Sequence, residues 1–92
     1  MIRSDIKIIQ QSKTIIIQSD KHFFSFSRHK MPTIEAFCTA DLTPEMIADI
    51  ILSGIVSIMS YNEGSLILSP KFGYDMMKMQ DVIVAIFEKF DL

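Results

Sequence analysis

The stretch LTPEMIADIILSGIVSIMSYN, residues 42–62, decides how the rest of the chain must fold. Thr43 can cap a helix with its hydroxyl. Pro44 suits the first helical position, because the N–H it lacks is one a helix leaves unpaired, and Glu45 favours the positive end of the dipole. Read at a helical period, Met46, Ile47, Ile50, Ile51, Leu52, Ile55, Val56, Ile58 and Met59 cover more than half the circumference. Glu45, Asp49, Ser53 and Ser57 step by four along a narrow polar stripe. This reading predicts one long apolar helix that must be covered on two sides. A sheet covers one side; a second helix or another copy of the chain covers the other.

Upstream, residues 2–10 are dense in β-branched side chains without a helical period, which favours a strand. Lys13 to Ser19 places Ile15 and Ile17 on one face and Thr14, Ile16 and Gln18 on the other. His22 to Arg28 alternates more clearly, with His22, Phe24, Phe26 and Arg28 on one face and Phe23, Ser25 and Ser27 on the other. Short connections make these three an antiparallel meander. Pro32 ends strand pairing. In the segment from Thr33 to Ala40, Ile34, Ala36, Cys38 and Ala40 share a face opposite Glu35, Phe37 and Thr39, which predicts a fourth strand.

Downstream of the long helix, Asn62, Glu63 and Gly64 are expected to turn the chain, with Gly64 as a left-handed helix stop. Ser65 to Ser69 follows as a short strand bounded by Pro70. From Tyr74 to Phe90, Met76, Met79, Ile83, Ile86 and Phe90 form one stripe, with Lys78, Asp81, Ala85, Glu88 and Lys89 opposite, as in an amphipathic helix. The expected architecture is a single α+β domain over residues 1–92. Its order is ββββαβα, a small antiparallel sheet packed against one long apolar helix and a C-terminal amphipathic helix.

Composition narrows the function. The 92 residues suffice for one core, and an apolar content of 49% with three glycines and three prolines excludes a disordered or loop-rich chain. A mean hydropathy of +0.31 is high for a small monomer, so the excess apolar surface points to self-association. A net charge of −2 is too small for bulk attraction to a polyanion and too small for a nucleic-acid mimic. The single Cys38 cannot form an intramolecular disulfide, and the N-terminus lacks the pattern of a secretory signal, so a cytoplasmic location is expected. A membrane span through residues 42–61 is disfavoured by Glu45 and Asp49, each acid costing about 2.5 to 3.5 kcal/mol near a bilayer centre. Isoleucine outnumbers leucine about threefold, a usage consistent with an A+T-rich genome such as that of a low-GC bacterium, its phages or an organelle, and this carries no mechanism.

The densest local cluster runs from Lys21 to Lys30, aromatic in the middle and cationic at both ends. Flat rings on a sheet stack bases and flanking cations hold phosphates, so Lys21, Phe23, Arg28, His29 and Lys30 are candidate contacts to a partner protein or to single-stranded nucleic acid. Against this, Phe24 and Phe26 are expected in the core, and Arg28, His29 and Lys30 read equally well as a solvated turn. Cys38 with His22 or His29 and Glu35 has no spacing that supports a nucleophile set, and Cys38 among small apolar neighbours reads as an inert packing residue. Two histidines without a ligand spacing argue against a metal site, and scattered glycines against a phosphate loop; no cofactor is expected. Ser53, Gly54 and Ser57 would let two helices approach closely, and Tyr74 and Met77 extend the apolar surface of the last helix; these five are the candidate dimer contacts. The expected function is a non-catalytic, homodimeric protein-interaction module, a regulator or inhibitor of another protein such as a phage or mobile-element inhibitor of a host enzyme. The alternative is a single-stranded nucleic-acid-binding module using the third strand.

Overall fold

The computed structural model describes residues 3–28 and 33–92. Strands β1 (Lys7–Gln10), β2 (Thr14–Gln18), β3 (Phe23–Ser27) and β4 (Ile34–Cys38) are followed by helix α1 (Pro44–Leu52), strands β5 (Val56–Asn62) and β6 (Ser65–Pro70), and helix α2 (Met76–Lys89). The six strands form one antiparallel sheet in the order β1-β2-β3-β4-β6-β5. The α+β class stands, but the order is ββββαββα.

The expected long helix is the main correction. It begins as the capping signals require: the Thr43 hydroxyl accepts from the Met46 amide at 3.3 Å, and Pro44 opens the first turn. It ends at Leu52. The Ser53 hydroxyl donates to the Ile50 carbonyl, and the Gly54 amide bonds the Ile51 carbonyl with Gly54 in the left-handed region at φ +77°. Beyond Gly54 the chain is rich in β-branched residues and alternates, so Val56 to Asn62 enters the sheet as β5 instead of extending the helix. Asn62 and Ser65 then pair across a two-residue turn in which Glu63 (φ +49°) and Gly64 (φ +87°) both have positive φ. That is a hairpin turn of the type whose twist matches the strands it joins. Gly64 thus has the left-handed backbone expected of it, as a hairpin residue rather than a helix stop.

Register sorts the side chains. Ile15, Phe26, Ala36 and Leu66 form one continuous row, flanked by Ile17, Phe24 and Cys38 on one side and by Ile34 and Leu68 on the other. All are buried, and Met46 and Ile50 of α1 and Met79, Ile83, Ile86 and Phe87 of α2 complete the same core. Helix α1 packs on β5, α2 packs on β2, and the two helices touch each other. Lys89 meets Asp49 at 2.9 Å across that contact, an exposed pair worth at most about 1 kcal/mol. Both helices therefore lie on one side of the sheet. Ile51 and Leu52, assigned from sequence to the broad apolar face, are 45% and 81% exposed. Among the described residues no helix is long and apolar enough to cross a membrane.

Candidate interaction surface

Among the described residues, the second face of the sheet carries no helix. Its rows follow from the same register: Ile9, Ile16, Ser25, Phe37, Ser65 and Asn62 in one, and Thr14, Ser27, Glu35, Ile67 and Ser60 in the next. A third row runs Lys7, Gln18, Phe23. A two-layer domain leaves one sheet face to solvent, and such a face is ordinarily polar. This one is mixed. Ile9, Phe23 and Phe37 are each about 40% exposed, and the Phe23 and Phe37 rings lie side by side with centroids 5.9 Å apart at an interplanar angle of 35°.

At the centre of this face, small serines between larger neighbours leave a trough. Its volume is about 440 Å³, and Ser25, Ser27, Glu35, Phe37, Ser65 and Ile67 line it. The Ser27 hydroxyl is paired with that of Thr14 at 2.9 Å. Glu35 is exposed. A smaller hollow of about 220 Å³ lies at the β2–β3 turn, bounded by Gln18, Ser19, Lys21, His22, Phe23 and Thr39. There Thr39 uses its hydroxyl to accept from the Phe23 amide at 2.9 Å and contacts His22 Nδ1 at 3.2 Å, which fixes the entry of β3.

The sequence-selected residues do not converge. Phe23 is on the open face. Lys21 sits in the β2–β3 turn, 3.4 Å from the Asp91 carboxylate. Arg28, past the other end of β3, places its guanidinium over the Tyr74 ring at 5.5 Å from the centroid. His29 and Lys30 lie outside the described residues. The proposed helix–helix patch does not form, because Ser53 and Gly54 terminate α1 while Ser57 belongs to β5. Met77 stands on α2 beside the opposite edge of the sheet, where its sulfur accepts from Gln10 Nε2 at 3.4 Å. Tyr74 is half-buried, and its hydroxyl is buried with no hydrogen-bond partner among the described residues. Burial raises its pKa, an effect opposed by the Arg28 charge and reinforced by Asp75. Ser57 and Met77 thus lie at opposite edges of the sheet, Ser57 on β5 and Met77 against β1.

Cys38 faces the helices and Glu35 the open side, so opposite faces of β4 keep that pair apart. Burial pushes the Cys38 thiol above its ordinary pKa, against a smaller downward pull from the Ala40 backbone. A thiol so placed resists forming the thiolate that nucleophilic or metal chemistry requires. Among the described residues, no group of three or more His, Cys, Asp or Glu side chains could hold a metal ion.

Phe37, Ser65 and Ile67 are not among the sequence candidates, and Glu35 enters there only as the acid of the Cys38 set. Alternation had put Glu35 and Phe37 opposite the buried face of β4, but nothing local marked that opposite face as uncovered. The fold and this surface define the chain as a two-layer α+β domain with an open sheet face. No family model matches it, and no curated protein or solved structure is significantly similar to it.

Proposed function

We propose that the protein is a non-catalytic interaction module, homodimeric, which regulates or inhibits another protein by docking it on the open face of the sheet. The trough between Phe37 and Ile67 carries this reading. It offers apolar walls, hydroxyls and the Glu35 carboxylate within one shallow concavity. The complementary ligand is a protein segment that inserts an aliphatic or aromatic side chain and brings a Lys or Arg to Glu35. A shallow, open concavity suits docking a protein segment better than enclosing a substrate for turnover.

A random-peptide library panned on the native protein and on a Phe37→Ser, Glu35→Lys double variant tests it. Peptides combining an apolar anchor with a nearby cation should be enriched on the native protein alone. Equal enrichment on both would remove the reading.

The exposed Phe23–Phe37 ring pair favours a second reading, single-strand binding by base stacking. Lys7 lies in the same row as Phe23. Yet Lys21 is paired with Asp91 and Arg28 is turned to Tyr74, so these two cations are not presented beside the rings. Protein docking is the better-supported reading.

A further inference from the structure

We infer that the β5 edge of the sheet is where a second copy of this chain binds, by antiparallel pairing of β5 with β5 about a two-fold axis. The inference rests on the homodimeric reading above and names its interface.

The two edges of the sheet differ. At the β1 edge the strand is short, begins with Lys7, and is tied down by Gln10, whose side-chain amide donates to Gln80 Oε1 at 2.7 Å and contacts Met77. Strand β5 is the longest of the sheet and lies at the other edge, with β6 on one side only. An edge strand leaves alternate N–H and C=O groups unpaired, and proteins blunt such edges with charge, proline, shortness or a bulge. Strand β5 has only the bulge, between Ile58 and Ser60.

Its flank is apolar as well. Leu52 at the end of α1 is 81% exposed, Ile51 is 45% exposed, and Met59 at the bulge is 62% exposed. Because α1 packs on β5, these side chains border one edge.

Charge identifies the occupant. From Ile50 to Asn62 the chain contains no Asp, Glu, Lys, Arg or His. A two-fold axis sets each strand against its own sequence, so any charge near the axis would meet its own kind, and like charges facing across a strand pair are destabilising. An uncharged edge with an apolar border avoids that clash with itself. It also offers no charge by which a different, charged strand would be selected.

Sedimentation equilibrium of the native protein, of Leu52→Lys with Met59→Lys, and of Ile9→Lys with Phe37→Lys tests the assignment. The native protein should sediment at twice its 10.5 kDa chain mass. The first variant should dissociate at least about thirtyfold more readily, the loss typical of an interface hot spot, and the second, on the open face, should remain a dimer. A monomeric native protein would overturn both the homodimeric reading and this one. A first variant as dimeric as the native protein would overturn the edge assignment and leave the dimer standing. If the first variant fails to fold, hydrogen exchange of the native protein decides: β5 amides should gain protection as concentration rises through the association range. Protection that does not change with concentration would overturn the assignment.

Discussion

The Gly64 carbonyl accepts a hydrogen bond from the Cys38 amide at 2.8 Å, and a Cβ at Gly64 would lie only 2.6 Å from the Cys38 carbonyl oxygen. The β5–β6 turn is therefore seated directly against the end of β4. Gly64→Ala meets two obstacles at once, a left-handed backbone and a backbone oxygen that has no rotamer to move. The substitution should destabilise the fold by about 2 to 4 kcal/mol, measured by urea unfolding. Gly54→Ala, with φ +77° but open space around it, should lose only the conformational part, about 1 to 2 kcal/mol.

Adjacent phenylalanines should behave oppositely. Phe24 is 2% exposed and Phe23 is 39% exposed. Phe24→Ala should cost about 3 to 5 kcal/mol of stability, as for an emptied aromatic core site, whereas Phe23→Ala should cost less than about 1.5 kcal/mol, its ring contact with Phe37 included. Fluorescence anisotropy with a mixed-sequence single-stranded oligonucleotide, at near-physiological salt and micromolar protein, should show no binding. Micromolar binding that disappears in a folded Phe23→Ala protein would favour the stacking reading.

On α1 the division falls between neighbours in sequence. Ile50 is 1% exposed, so Ile50→Ala should lower stability by about 2 to 5 kcal/mol. Ile51 is 45% exposed, and Ile51→Ala should change it by no more than about half a kcal/mol, with the better helix propensity of alanine offsetting lost packing. Denaturation of both at a concentration where association is absent makes the comparison.

Stability should fall in alkali. Burial raises the Cys38 thiol above its ordinary 9.0 and the Tyr74 hydroxyl above its ordinary 10.0. The unfolded chain then releases each proton first, so the contribution is complete below the ordinary value and is lost as pH rises through the folded one. Urea midpoints should hold steady up to about pH 8.5 and decline above it. In Cys38→Ala the onset of decline should move towards the Tyr74 range.

Strands β2, β3 and β4 were legible because each alternates strictly, and a period of two leaves one choice of face. Ile50 to Ile58 was not. In a segment so rich in aliphatic residues, helical and alternating templates fit nearly the same positions, and the decision falls to Gly54 and to the β-branched residues after it. Glu63–Gly64 misled for a related reason: a left-handed glycine serves equally as a helix stop and as a hairpin turn, and only the identity of the preceding element separates the two. The trough was hidden by a non-local fact. Alternation placed Phe37 and Glu35 on one face, but which face the helices would cover depends on how α1 and α2 return to the sheet.

The strand order carries a consequence for the time course of folding. Every neighbouring pair in β1-β2-β3-β4-β6-β5 is a local hairpin or meander step except β4 with β6, whose ladder runs from Ile34–Leu68 to Phe37–Ser65 with α1 and β5 intervening in the chain. Local pairs close short loops quickly, whereas that ladder requires loop entropy to be lost before its contacts form. The β1–β4 meander and the β5–β6 hairpin are thus expected to form first, with their joining along the β4–β6 seam as the slow event. The same seam floors the trough, so the trough is complete only when β4 and β6 have paired and the sheet is one.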